Sequence, residues 1–398
     1  MSPMALLLVL LVLAYIGSLW AASGRKRAFG SPSGVEYVVL GALLGPEALG
    51  VLGQQALVTF EPVAIVALGW IGLIFGLECG LVAGRRAPFG RMALGLTFTV
   101  ITATVTAYAS WRLLGWMHLH DANTRLVLSG AIALVSVETA RHAVQWIGEE
   151  ALLSGSLAGL LLDLEAADDI PVLLALSALF AFVGGEHAIV GQLISPWSLG
   201  AGTLLAGALL GAPCAWLMDR AGSKAERWTV LLGAAWLTTG IAKSLGLSAI
   251  ASTFALGASL ASFTREREVL RHSLGRTEGA VLLPALLLAG AQLRRPVGHE
   301  ELLLIGMAIA LRLLLSLLFG VVLSWKRAET RRLGLWLGAG MLAPGSLTMV
   351  VGFALAMRCP PEIARPALLV AFLSTLLGEL VGPRALREVI DRFTKEPA

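Results

Sequence analysis

The chain has 398 residues, of which 57% are hydrophobic and only 14% charged, with a mean hydropathy of +0.81. Soluble domains carry about 25% charged residues, and a chain of this length has too much surface to hide so apolar a sequence in a core. A soluble enzyme, an extracellular disulfide scaffold and a disordered chain are excluded, and long unbroken apolar runs argue against a membrane barrel, whose strands alternate in period two. What remains is an all-α polytopic membrane protein. The net charge of +4 and pI near 9.2 then point to basic cytoplasmic loops rather than to nucleic acid.

Apolar runs bounded by charged or Gly/Pro-rich turns predict about thirteen spans, at 4–22, 35–52, 59–83, 92–114, 125–146, 151–183, 197–218, 228–244, 247–263, 279–293, 301–324, 333–357 and 366–383. The first run resembles a secretory signal. However, Met1-Ser2-Pro3 before it carries no positive side chain and Arg25-Lys26-Arg27 follow it, so it reads as a retained helix with its N-terminus outside. Spans eight to ten are short, as expected where the ends are misplaced or the helices are broken or buried by neighbours. Cys79, Cys214 and Cys359 lie far apart in or beside apolar runs and read as small buried hydrophobes.

Charge tests the span count independently. With the N-terminus outside, alternating loops place 22 of the 30 Lys and Arg residues inside and 7 outside, and leave Arg312 in mid-span. That is the bias of the positive-inside rule. No loop is long enough for a soluble domain, so residues 1–398 read as a single membrane transport domain. A weak internal echo links Gly41-Ala-Leu-Leu-Gly-Pro46 in span two with Ala255-Leu-Gly-Ala-Ser-Leu260 in span nine. The next spans, three and ten, carry small residues late: Gly76 and Gly80, then Ala289-Gly290-Ala291. Because seven is odd, spans 1–6 and 8–13 run in opposite senses. This predicts inverted repeats over roughly 4–183 and 228–383, linked by a helix at 197–218.

Four features carry chemistry. Asp163, Glu165, Asp168 and Asp169 fall within seven residues of span six. An acid at a helix centre in lipid costs at least about 2.5–3.5 kcal/mol, so such acids are functional by default. Glu165 lies one turn before Asp169 on the same face; Asp163 and Glu165 either line a wet cytoplasmic funnel or stand aside. Arg312 needs a partner at its depth, and Asp168 or Asp169 is the natural one. In span five, Glu138 and Thr139 interrupt an apolar run. Either an unwound turn offers oxygens to a cation, or Glu138 pairs with Arg141 or His142 at the interface. In span twelve, Leu342-Ala-Pro344-Gly345-Ser346 breaks a helix, as part of an ion path or as a passive kink. Glu78 reads as a solvated interfacial acid, and His118 and His120 as loop residues without a metal-ligand pattern.

Together these residues resemble the monovalent cation:proton antiporter superfamily, the sodium/proton and potassium/proton exchangers, in its paired-aspartate form. The resemblance rests on Gly41–Pro46, Gly76-Leu-Glu78, Asp168-Asp169, Gly246-Leu-Ser248 with Ala255-Leu-Gly257, and Arg312. It implies two crossing broken helices, at spans five and twelve. It implies that Asp169 binds the proton or the transported metal cation beside Asp168, that Arg312 is the charge partner, and that the chain forms a homodimer. Glu138, Thr139, Glu165 and Ser346 become candidates for the ion pathway. Two residues depart from the pattern. Paired-aspartate members carry Lys where this chain has Arg312, and Arg does not deprotonate; many members carry an acid where this chain has Ser346.

The expected function is therefore exchange of Na⁺ or K⁺ for protons by alternating access at a midplane carboxylate, in a cell membrane of the bacterial inner-membrane type, with the C-terminus cytoplasmic. No cofactor, enzymatic step or nucleic acid is expected. A sodium-coupled organic-anion symporter would need a roomy cavity with neutral polar ion sites. An intramembrane aspartyl protease needs two facing acids sharing a proton, which neighbours on one helix cannot supply. A non-transporting sensor stays open.

Overall fold

In the computed structural model, residues 34–84, 89–137, 169–183, 195–265, 267–293, 298–326, 333–342 and 345–394 are described. Thirteen helices and no strand occur among them. They are α1 (Val35–Leu44), α2 (Gln54–Gly84), α3 (Phe89–Trp116), α4 (Ala122–Val135), α5 (Asp169–Val183), α6 (Pro196–Arg220), α7 (Lys224–Ser244), α8 (Ala249–Phe263), α9 (Arg267–Ala291), α10 (His299–Lys326), α11 (Leu335–Gly340), α12 (Ser346–Arg358) and α13 (Pro361–Thr394). They cover twelve of the thirteen expected spans, because span twelve is two helices and 4–22 lies outside the described residues. Residues 151–168 of span six lie outside them too.

Six of these helices are long and apolar enough to cross a bilayer. Five shorter apolar helices, α1, α4, α5, α8 and α12, run 10–15 residues. At 1.5 Å per residue the 15-residue α8 reaches about 22 Å, less than the roughly 30 Å of hydrocarbon. It is tolerated because it is enclosed: its most extensive packing is on α2 and α6. Ser248 caps its first turn, accepting a hydrogen bond from the Ala251 N–H.

The predicted ends shift for local reasons. Span two stops at Leu44 because Gly45 turns extended before Pro46, and a residue before proline is driven out of the helical region. Span ten gains a charged helical lead from Arg267, and span thirteen runs from Pro361 to Thr394. Backbone hydrogen bonding does not stop where the apolar stretch does. Span twelve is interrupted: α11 ends at Gly340, Met341 and Leu342 form a turn, and α12 begins at Ser346.

The small residues of the sequence echo sit at the closest helix approaches. A Cβ on Gly41 of α1 would collide with the Leu287 carbonyl of α9, and one on Gly290 of α9 with the Val38 carbonyl of α1. The same reciprocal pair recurs between α2 and α8: Gly76 abuts the Phe254 carbonyl, and Gly257 the Leu73 carbonyl. Small residues let backbones approach in lipid, where the hydrophobic effect gives no drive to helix association. Helices α1, α2, α8 and α9 thus pack backbone to backbone. Helices α3, α4, α5, α10, α12 and α13 pack beside them around a second set of contacts.

Candidate functional site

Asp169 lies on α5 and is only 4% exposed. Helix α5 is enclosed by α6, α4, α8 and α3. Val172, Leu173 and Leu176, within two turns of it, are buried apolar residues. A carboxylate in such surroundings takes part in a polar or charge interaction, as Asp169 does, because an uncompensated buried charge is too costly to keep.

Arg312 lies in the middle of α10 and is 5% exposed. It too is engaged in a polar or charge interaction. Helix α10 packs on α11, α3 and α13, and its Phe319 ring stacks on Phe98 of α3 with centroids 4.2 Å apart. Asp169 and Arg312 therefore sit on two helices that share α3 as a neighbour.

Span twelve packs on α4 through its second helix, α12. Helix α4 stops at Val135, where the Ser136 N–H donates to the Ala133 carbonyl and Ser136 Oγ to the Ile132 carbonyl at 2.7 Å. Helices α4 and α12 pack on each other. Ser346 and Thr348 in the first turn of α12 are buried. Both helices also pack on α13. Asp163, Glu165, Asp168, Glu138, Thr139 and Pro344 lie outside the described residues. Glu78 is half-buried on α2 and engaged in a polar or charge interaction, not free in solvent. All three cysteines are buried free thiols. Among the described residues no group of three or more His, Cys, Asp or Glu side chains could hold a metal ion.

Sequence reasoning missed two features. The first is a cavity of about 640 Å³ at the end of the bundle that carries the α3–α4 and α12–α13 turns. Glu61, Glu300, Glu301, Glu362, His120 and Arg365 line it. Arg365 pairs with Glu301 at 3.1 Å, and His120 lies 3.8 Å from Glu362. His118 and His120 both adopt positive φ, 52° and 61°, a conformation that β-carbon residues enter only where a tight turn demands it. The acids come from α2, α10 and α13, so no sequence window shows them as a group.

The second is Arg358 at the end of α12. Its guanidinium donates through Nη1 to the Leu247 carbonyl at 2.9 Å and through Nη2 to the Gly246 carbonyl, and it lies 5.1 Å from the Phe180 ring centroid of α5. It binds the α7–α8 turn to α12 and α5. The Gly246-Leu-Ser248 motif was visible in sequence, but its partner lies more than a hundred residues away.

The sodium/hydrogen exchanger transmembrane family matches residues 8–386 of the chain. Among solved structures, the chain is similar to the sodium proton antiporter MjNhaP1 from Methanocaldococcus jannaschii at pH 8. The TM-score is 0.71 at 14% identity, covering 98% of this chain and 100% of that one. A second structure of that antiporter, from electron microscopy, gives a TM-score of 0.67 at 15% identity with both chains fully covered. At such identities the likeness shows the fold alone. Among curated protein sequences none matches the chain.

Proposed function

We propose, since this chain belongs to the sodium/hydrogen exchanger family, that it exchanges a monovalent cation, Na⁺ or K⁺, for protons by alternating access at Asp169. The observation that carries this reading is the burial of Asp169 on a helix enclosed by four others. A bare carboxylate cannot cross the apolar barrier, and one neutralised by a proton or a cation can. Because both ligands compete for one negative group, each crossing carries one or the other, and a full cycle moves a cation one way and protons the other, which is antiport.

In this reading Arg312 is the charge partner that holds Asp168 ionised and leaves Asp169 to exchange. A guanidinium keeps its proton, so Arg312 is not itself a carrier. Glu138, Thr139, Glu165 and Ser346 belong to the ion path. The repeats over 4–183 and 228–383 are inverted copies joined by the helix at 197–218. The reciprocal glycine contacts support this: Val38 and Gly41 correspond to Phe254 and Gly257, and Leu73 and Gly76 to Leu287 and Gly290, with the same spacing of three. Exchanging the two sets turns the α1–α9 contacts into the α8–α2 contacts. The chain is placed in a cell membrane as a homodimer, N-terminus outside, so that the acidic end cavity faces outward.

The test is reconstitution in proteoliposomes with a pH-sensitive dye and clamped membrane potential. Adding Na⁺ or K⁺ dequenches the dye with the wild-type chain, and Asp169→Asn abolishes the response. Retained cation-driven proton flux in that variant overturns the assignment.

A further inference from the structure

Helix α3 carries six Ser and Thr residues, and they fall into two groups. Thr97, Thr99 and Thr104 donate their hydroxyls to the carbonyls four residues back, at 2.7–3.0 Å. This is the usual way a hydroxyl is satisfied inside a helix in lipid. Thr102, Thr106 and Ser110 do not. Their hydroxyl oxygens are buried without a hydrogen-bond partner among the described residues, and the side chains are 2%, 0% and 0% exposed. Their spacing of four puts them on one inward face, while Ile101, Val105 and Tyr108 face outward.

An orphaned buried hydroxyl costs about 1–3 kcal/mol, and the same helix shows how easily each could bond to its own backbone. Three successive exceptions on one face point to a partner from elsewhere. One turn beyond Ser110 is Leu114, which lines the end cavity. The stripe therefore leads inward from that cavity.

Two markers fix how far it leads. Leu114 of α3 and Leu304 of α10 line the same cavity; eight residues in from each are Thr106 and Arg312. Phe98 stacks on Phe319; eight residues on along α3 is Thr106, and seven back along antiparallel α10 is Arg312. Both place Thr106 at the depth of Arg312, on helices that pack together.

We propose that Ser110, Thr106 and Thr102 hold a single file of water that runs inward from the end cavity, reaches the depth of Arg312 at Thr106, where it solvates the guanidinium, and ends one turn farther in at Thr102. Successive hydroxyls rise about 6 Å, the length of two hydrogen bonds around one bridging water. Bound water satisfies hydroxyls that no protein group reaches, and water at mid-membrane lowers the cost of a buried Arg. The file does not conduct cations. A permanently charged guanidinium beside the file repels them, and hydroxyls this far apart cannot together replace a cation's hydration shell. In the exchange cycle, which rests on the reading above, hydrated Arg312 can release and recapture its acidic partner.

X-ray radiolytic hydroxyl-radical labelling in nanodiscs, read by mass spectrometry, detects water beside a side chain without requiring transport. Single variants T106C and S110C are labelled several-fold faster than the lipid-facing controls I101C and V105C. Labelling no faster than those controls overturns the file. Modification of T106C by Ag⁺ from the aqueous phase overturns the exclusion of cations. In the dye assay T106V slows exchange about tenfold, the loss of one buried hydrogen bond, whereas T106S keeps the wild-type rate. A T106V rate equal to wild type overturns the solvating role. The labelling pattern is unchanged in a D169N background, so it stands whether or not Asp169 proves to be the exchanging group.

Discussion

Helices α1, α2, α8 and α9 and helices α3, α4, α5, α10 and α12 differ in what their interiors hold. In the first set Gly41, Gly76, Gly257 and Gly290 bring backbones into direct contact, each against a carbonyl of the facing helix. In the second, Gly320 of α10 makes a like contact with Gly338 of α11, but the interior also holds Asp169, Arg312, Ser346 and the α3 hydroxyls. Backbone-to-backbone packing leaves no room for adjustment and makes a stiff frame. Buried polar groups are costly in lipid and are kept where chemistry requires them. The comparison separates a part that holds shape from a part that holds charge.

Breaking the frame has the largest expected effect. Gly76→Val drives a branched side chain into the Phe254 carbonyl, a backbone atom that cannot swing aside. It should cost at least about 3 kcal/mol, read as a lowered unfolding temperature and loss of a monodisperse peak in detergent. Gly306→Ala on α10 should melt at or slightly above wild type, since alanine favours a helix over glycine by up to about 1 kcal/mol. Gly306 lies on the exposed face of α10, so equal losses at both positions would show that the Phe254 contact is not what makes Gly76→Val costly.

Arg358 joins the regions, and its removal comes next. Arg358→Ala strips two carbonyls of a charged donor and the Phe180 ring of its cation. About 2–3 kcal/mol of thermal stability should be lost, with Arg358→Lys recovering part of it. A wild-type melting curve for Arg358→Ala would show that the α7–α8 turn and α12 hold together by other contacts.

The smallest effect is expected at the cavity rim. Glu301 and Arg365 pair at 3.1 Å but remain 25% and 24% exposed. Arg365→Gln should change stability by less than about 1 kcal/mol, and any difference should shrink as salt is raised. A larger, salt-independent loss would mean that the rim is structural in the same sense as the frame.

Much of the fold was legible in the residues. A run of Leu, Val and Ile that must cross lipid leaves little freedom in where its helix lies, so most spans fell within a few residues of their observed ends. Gly45-Pro46 and Pro344-Gly345 marked where helices stop. The candidate site was legible as chemistry: Asp169 and Arg312 stood out because few acids and bases survive mid-membrane. The acidic cavity was not, because Glu61, Glu300 and Glu362 read singly as ordinary charges near helix ends. The α3 hydroxyls were not legible either. Thr102 and Thr104 look alike in a string of letters, and one is buried without a partner while the other bonds to its own helix.

By itself, then, the sequence determined that helices cross a membrane, about where most of the described ones begin and end, and which charges are out of place there. Solvent decides those matters one segment at a time, and the bilayer discriminates strongly between apolar and charged side chains. Only the tertiary structure decided which face of each helix turns inward, that α3 and α10 set Thr106 level with Arg312, and that Arg358 reaches the Gly246 turn. A span that is apolar all round gives lipid no face to prefer. Which side packs is settled by the fit of small residues and polar groups on helices far apart in the chain.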